Sequence, residues 1–175
     1  ARTTLTWMIV ILATTFAGIT FLANQFGIVP REPDHPLGYE TVVIDGRAAF
    51  ATRDRFPEAD RLVLGWPDEV MDEIGLGPAD AVAILTHDVK FDEPAIIAAL
   101  ARGCRYVGAV GSAQTSADRR KRLAEFDLSS REIARLRGPV GLSIGSRTPP
   151  EIAVATLADL IATRNGVMLE KAGEA

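Results

Sequence analysis

The sequence predicts an α/β fold: an open parallel β-sheet with helices on both faces. Three observations carry the prediction. From Glu40 onward, short β-branched runs alternate with helical stretches. The runs are continuously apolar, as strands covered on both faces require, and lack the apolar–polar alternation of a half-solvated sheet. The connections between them are short, which with right-handed crossovers builds a single open sheet.

The elements follow in order. Thr41–Ile44 is a strand ending in Asp45-Gly46, and Arg61–Leu64 is a second, stopped by Gly65. Pro67–Ile74 opens with proline at a first-turn position and stops at Gly75, which makes it a helix. Ala81–Thr86 is the third strand. Glu93–Arg102 has Pro94 early, Ile96, Ile97 and Leu100 on one face and Gly103 as its stop. Arg105–Val110 is the fourth strand, followed by a long charged helix over Ser112–Phe126 and a shorter one over Ser130–Leu136. Gly138–Gly145 is a glycine-spaced loop. Thr148, with Pro149 and Glu151, has the form of a capping box before a helix over Ile152–Thr163, with Gly166 just beyond.

The first thirty residues differ from the rest. Ala1–Pro30 carries a single charge, Arg2, and the 19 residues Leu5–Ala23 contain no charge, proline, asparagine or glutamine. At ~1.5 Å per residue such a helix nearly crosses a bilayer core. Thr6, Thr14, Thr15 and Thr20 lower the hydrophobicity of the run, and Arg31-Glu32-Pro33-Asp34 is no basic stop signal. A membrane span or anchor, a buried strand and helix of the domain, and a signal remnant therefore stand side by side as readings. Pro30, Pro33 and Pro36 make Ile28–Tyr39 an extended linker. A start at Ala1 is what a fragment or processed chain gives. The expected division is residues 1–36 as an atypical apolar segment plus linker, 37–166 as the α/β domain, and 167–175 as a tail.

Composition narrows the function. The 175 residues are 47% hydrophobic and 24% charged, which suits one packed domain. A formal net charge of −4 argues against a nucleic-acid binder. One cysteine, Cys104, and two histidines, His35 and His87, form neither a disulfide framework nor a structural metal centre. Cys104 stands beside a strand in no electropositive motif, so a buried structural thiol is expected.

In open α/β sheets ligands lie beyond the carboxyl ends of the strands. Asp45 there is either an acceptor for a ribose hydroxyl or a turn aspartate. Gly108, Gly111 and Ser112 lead into a helix whose free N–H groups and dipole favour a phosphate, or they form a plain cap and tight turn. Thr86-His87-Asp88 offers either a working imidazole or a pocket wall. Arg147, before the capping box, can reach a phosphate. Arg119-Arg120-Lys121-Arg122 goes round all faces of one helix and is expected to be mostly solvated, with Arg120 and Arg122, alongside Arg131, Arg135 and Arg137, offering positive charge to a partner.

The segments VVIDGRAAFATRDRFPEAD, GWPDEV, ILTHDVKFDEPAIIAAL, YVGAVGSAQTSADRRKRL and RGPVGLSIGSRTPPEIAVATLADLIA together resemble the C-terminal Rossmann domain of the XdhC/CoxI family, from about Leu37 to Thr163. The resemblance implies an accessory protein for molybdenum hydroxylases such as xanthine dehydrogenase. Such a protein binds the molybdenum cofactor (molybdopterin), protects it, and assists its sulfuration and insertion into the apo-enzyme, without turning over a substrate. Asp45, Thr86, His87, Asp88, Gly108, Gly111, Ser112 and Arg147 are the expected cofactor-binding residues, with no catalytic residue and no metal ligand. The implied partners are the molybdenum hydroxylase apo-enzyme and a sulfur-donating enzyme, in the cytoplasm; membrane anchoring through Leu5–Ala23 and a homodimer are left open. The resemblance does not extend to the family's separate N-terminal domain and its cysteine. Counted back from Asp45 without gaps, the family's glycine-rich turn falls on Leu22–Gly27, where Gly27 alone remains, so the first strand–turn–helix unit is atypical. An NAD(P)-binding oxidoreductase and a membrane-tethered interaction module are the competing classes.

Overall fold

The computed structural model describes residues 7–13 and 39–167. They form a six-stranded, wholly parallel sheet in the order β3-β2-β1-β4-β5-β6. The strands are β1 (Trp7–Ala13), β2 (Tyr39–Asp45), β3 (Arg61–Leu64), β4 (Ala81–Leu85), β5 (Tyr106–Ala109) and β6 (Leu136–Arg137). The described helices are α1 (Pro67–Ile74), α2 (Val89–Ala101), α3 (Ala113–Leu123), α4 (Ser130–Ala134) and α5 (Pro149–Arg164). The order runs outward from β1 to β3 on one side and from β4 to β6 on the other. It therefore reverses between β1 and β4, and such a switch point opens a crevice at the strand ends.

The register explains the apolar runs. Val42, Ile44, Val82, Ile84, Val107 and Ala109 face one core, where Met71 of α1, Ile96 and Leu100 of α2, and Leu123 pack on them. The residues between them, including Ala81, Ala83, Leu85 and Tyr106, face a second core with Leu160 of α5 and Val140. Every residue of β4 is buried, which is why its sequence lacks alternation.

The main correction concerns the N-terminus. Trp7–Ala13 is the central strand, paired with Tyr39–Ile44 on one side and Ala81–Leu85 on the other. The part of Leu5–Ala23 that is described therefore belongs to the sheet and is no membrane span. The expected boundary at residue 37 likewise fails, since β1 lies within 1–36. No described helix is long and apolar enough to cross a membrane. The glycine-turn reading of Leu22–Gly27 and the proline-rich linker up to residue 38 lie outside the described residues.

Smaller differences have local causes. α2 begins at Val89, four residues before the expected Glu93, because the Asp88 side chain caps it by accepting from the Lys90 N–H at 3.0 Å. Pro94 thus lies inside the helix. The expected helix Ser130–Leu136 stops at Ala134, and Leu136–Arg137 pairs with Val107–Gly108 as β6. Two residues carry too little pattern to be recognised as a strand.

Removing β1 would leave β2 and β4 without their shared neighbour and expose two unpaired ladders. A chain spanning residues 37–175 is therefore expected to aggregate or to melt without a cooperative transition, while the full chain melts as one unit. Calorimetry of both proteins checks this.

Candidate functional site

Parallel strands put Asp45, Thr86 and Val110 at one edge of the sheet, and each strand end has its own chemistry. At the end of β5, Val110 donates its N–H to the Ile84 carbonyl at 2.9 Å, which ties the two strand ends together. Gly111 follows at φ +148°, in a region that side chains disfavour, and a Cβ there would lie 3.1 Å from Thr115 Cγ2. Ser112 caps α3 by accepting from the Thr115 N–H at 3.0 Å, and its hydroxyl lies 2.9 Å from Thr115 Oγ1. The cap reading of Ser112 holds, then, and its hydroxyl proton still has a choice of acceptor.

Beside this turn lies a cleft of about 480 Å³, bounded by Val110, Gly111, Ala113, Gly141, Ile144 and Ile152 among others. The loop from Gly138 to Ser146 forms its far wall. Gly141 lets that loop approach α5: at φ +84° its Cβ position lies 2.8 Å from the Ala155 and Thr156 backbone. Leu142 then donates to the Ala155 carbonyl at 3.1 Å. Most of the lining is backbone, small residues and short apolar side chains, with Ser143 and Ser146 as its hydroxyls. Arg147 is exposed and donates its backbone N–H to Glu151 at 2.7 Å. Glu151 also accepts from the Thr148 N–H at 2.8 Å, and these backbone donors hold its carboxyl below the usual range.

Gly108 has another role than a ligand contact. It lies within β5, opposite Ala83 and Arg137, and a Cβ there would lie 2.7 Å from Val140 Cγ2 and from the Tyr106 ring. Its bareness gives Tyr106 room to reach Asp159, to which it donates at 3.2 Å. Arg137 closes the same buried group, 3.3 Å from Asp159.

At the end of β4, Thr86 turns inward. It is buried and donates its hydroxyl to Asp92. Asp92 also meets Arg119 at 3.1 Å, with both side chains nearly inaccessible (2% and 5%). Arg119 donates in addition to the Val110 carbonyl at 3.2 Å, while its Nε has no partner. Burial pushes the Asp92 carboxyl above its ordinary range, against the lowering effect of Thr86, Arg119 and nearby His87. Asp88 spends its side chain on the α2 cap, and His87 alone of the three is exposed to solvent.

At the end of β2, the buried Asp45 is gripped by Arg47. Arg47 Nε and Nη2 each lie 3.0 Å from a different carboxylate oxygen, and the Arg47 N–H adds a third bond at 2.9 Å. The expected ribose acceptor is thus already engaged.

The basic run departs most from expectation. Arg119 is buried; Arg120 donates to the Leu136 and Gly138 carbonyls at 2.9 and 3.3 Å; and Arg122 pairs with Glu93. Arg135 is likewise tied to the Gly103 carbonyl at 2.9 Å. These guanidiniums fasten loops to helices and do not form a solvated docking face. Cys104 is fully buried, and burial pushes its thiol up to about 11, in keeping with a structural role. Among the described residues, no group of three His, Cys, Asp or Glu side chains is placed to hold a metal ion.

The Asp92–Arg119 pair escaped the sequence reading because both residues sit in charge-rich helix segments, where a solvated face is the ordinary outcome. Arg119→Met would leave Asp92 uncompensated in the core, so a loss of about 3–5 kcal/mol is expected by denaturant titration. Between the ordinary carboxyl value near 3.9 and its raised native value, the folded state holds more protons than the unfolded one. The Asp92 contribution to stability therefore falls as pH rises through that window. Asp92→Asn is expected to remove that slope from a pH series of melting temperatures.

Comparison with known proteins places the chain. The model of the XdhC Rossmann domain matches residues 33–160. A probable xanthine dehydrogenase subunit of Bacillus subtilis (strain 168) is 35% identical over 130 residues, covering 74% of this chain and 37% of that protein. The molybdenum cofactor insertion chaperone PaoD of Escherichia coli (strain K12) is 33% identical over 84 residues, covering 48% of this chain and 26% of that protein. A crystal structure described as a xanthine dehydrogenase from Bacillus halodurans superposes with a TM-score of 0.70 at 27% identity, over 97% of this chain and 45% of that one. This chain spans less than half the length of each of these proteins. With the family model covering most of its length and a reversing parallel sheet beneath it, the chain belongs to the XdhC Rossmann domain family.

Proposed function

We propose that this chain is the cofactor-holding domain of an accessory factor for a molybdenum hydroxylase of the xanthine dehydrogenase type, binding the molybdenum cofactor and assisting its sulfuration and insertion. Kinship with a molybdenum cofactor insertion chaperone supports the class of function. The observation that carries the binding reading is the cleft at Gly111, where a bare turn, a helix N-terminus and a glycine-lined wall meet.

Molybdopterin carries a phosphate on a fused ring system, and the residues present fit both parts. The unpaired N–H groups of the first turn of α3 suit the phosphate, and no acidic side chain stands in that turn. The Ser112 hydroxyl can give its proton to a phosphate oxygen while still accepting from Thr115. Gly141, Leu142 and Ile144 offer a mostly apolar wall for the rings. When bound, the group would bring the molybdenum centre that the client enzyme uses; the residues of this chain would hold its phosphate and its rings. Cys104 is buried and its thiol is pushed up to about 11, which speaks against this thiol as the sulfur carrier and for a separate donor. The client apo-enzyme and a sulfur-donating enzyme are accordingly the proposed partners.

A nicotinamide dinucleotide is the second reading, and the Arg47–Asp45 pair bears on it. A free ribose diol would compete with Arg47 for the carboxylate, whereas a phosphorylated ribose would meet a guanidinium. NADP is therefore the form this reading takes. Against an oxidoreductase stands the lack of an acid–base pair among the described residues, since His87 is exposed while Asp92 is locked to Thr86 and Arg119.

Titration calorimetry with molybdenum cofactor, NAD and NADP separates the readings. The cofactor is expected to bind and NAD to fail; a clear preference for NADP would favour the oxidoreductase. Gly111→Ala forces a side chain into the positive-φ turn, with an expected cost of about 1–3 kcal/mol and loss of cofactor binding below its melting temperature. Equal binding by Gly111→Ala and the parent would remove this site.

A further inference from the structure

The outer face of α5 is short of charge. From Ile152 to Thr163 the helix carries one charged residue, Asp159, and that residue is buried. Ala153, Ala155, Thr156, Leu160 and Ala162 are buried with it. Val154, Leu157, Ala158 and Ile161 follow the three-and-four spacing of the opposite side. Val154 is 48% exposed, and the other three are half-buried. A helix that faces water keeps polar residues on its outer side, whereas one that is apolar all round is packed on both sides.

The flanks of this stripe are engaged within the chain. On one side Leu142 donates to the Ala155 carbonyl at 3.1 Å, which lays the 138–146 loop along the helix. On the other, Arg164 stands over the Tyr39 ring, 5.7 Å from its centroid. Among the described residues the stripe between them stays open. Ile144 in the flanking loop (58% exposed) and Val167 just past the helix (49%) add to its apolar surface.

The stripe is complementary to itself. Let two copies of α5 pack antiparallel about a twofold axis between Leu157 and Ala158. Val154 then meets Ile161 of the second copy, and the small Ala158 lets the helices approach to about 8–10 Å. Glu151 at the N-terminal end comes opposite Arg164 of the second copy, and the antiparallel helix dipoles agree with that pairing. Glu151 is exposed, and the backbone bonds from Arg147 and Thr148 both fall on its Oε2. One helix thus supplies both charges of the pair, as a contact between identical surfaces requires. We propose that the outer stripe of α5 is a homodimer interface, two copies packing antiparallel through Val154, Leu157, Ala158 and Ile161. Ile152 and Ala155 of the same helix line the cleft, so the contact backs the wall of each cleft with the second copy. The interface stands whichever ligand the cleft takes.

Sedimentation equilibrium of the full chain is expected to show a reversible monomer–dimer equilibrium, since one helix pair is a small interface. Val154→Glu should weaken association at least about tenfold, while Val154→Leu retains it. Melting curves establish that each variant is folded. Cys104 is fully buried, so a mild oxidant reports on an introduced thiol. Ala158→Cys is expected to give a disulfide-linked dimer, and Ala117→Cys, exposed on α3, far less; this comparison decides the matter where Val154→Glu does not fold. A parent that stays monomeric up to about 100 μM, a dimer left unchanged by folded Val154→Glu, or equal cross-linking of the two cysteine variants overturns the interface. A monomeric parent that Val154→Glu unfolds overturns it too, and assigns the cover of the stripe to the same chain.

Discussion

The arrangement of the site depends on one buried ion pair. Asp92 of α2 and Arg119 of α3 meet where almost no water reaches, and each also holds a strand end: Asp92 through the Thr86 hydroxyl after β4, Arg119 through the Val110 carbonyl after β5. The two strand ends, already joined by the Val110–Ile84 hydrogen bond, are thereby fixed to one another through both helices as well. A buried pair of this kind is weak evidence for stability in itself, because desolvation offsets much of the attraction. Its use here is positional. The Gly111 turn lies directly over it, with Arg119 Nη1 3.7 Å from where a Gly111 Cβ would be.

A second buried group does the same for the far wall of the cleft. Tyr106 of β5 and Arg137 of β6 converge on Asp159 of α5, so the helix behind the wall is fastened to the sheet. Gly108 provides the room for Tyr106, and Gly141 lets the loop lie against the α5 backbone. The cleft between them is thus framed by two polar clusters that no ligand needs to touch. Glycine appears in this frame for two reasons: the missing side chain makes room at Gly108 and Gly141, and the positive φ is required at Gly111 and Gly141.

How much of this was legible in the sequence follows from how local each signal is. The boundaries of Arg61–Leu64 and Pro67–Ile74 were readable because proline and glycine punctuate them. The cap at Ser112 and the Thr148–Glu151 capping box were readable for the same reason. Trp7–Ala13 was not, because the sequence of a central parallel strand carries no alternation and so looks like the start of any longer apolar run. The fates of Thr86 and Arg119 were hidden differently. Each is decided by Asp92, which lies six residues beyond Thr86 but 27 before Arg119, so the three meet only once the chain has passed through β5. The grip of Arg47 on Asp45 was local, two residues apart, but the same dipeptide spacing in a turn permits several other outcomes.

The placement of charge completes the physical picture. A chain of net charge −4 cannot draw an anion by its overall field. Its arginines do not alter this, since Arg119, Arg120, Arg122, Arg135 and Arg137 are all directed at carbonyls or carboxylates of the chain itself. What remains at the strand ends is backbone: bare N–H groups at the start of α3, and Arg47 held by Asp45 as a fixed donor. Recognition by such preset donors depends on shape more than on ionic strength, because the partners are dipoles at contact distance and not exposed charges acting through solvent. Both sets of donors are fixed in direction by the fold, and Asp45 offsets the charge of the guanidinium.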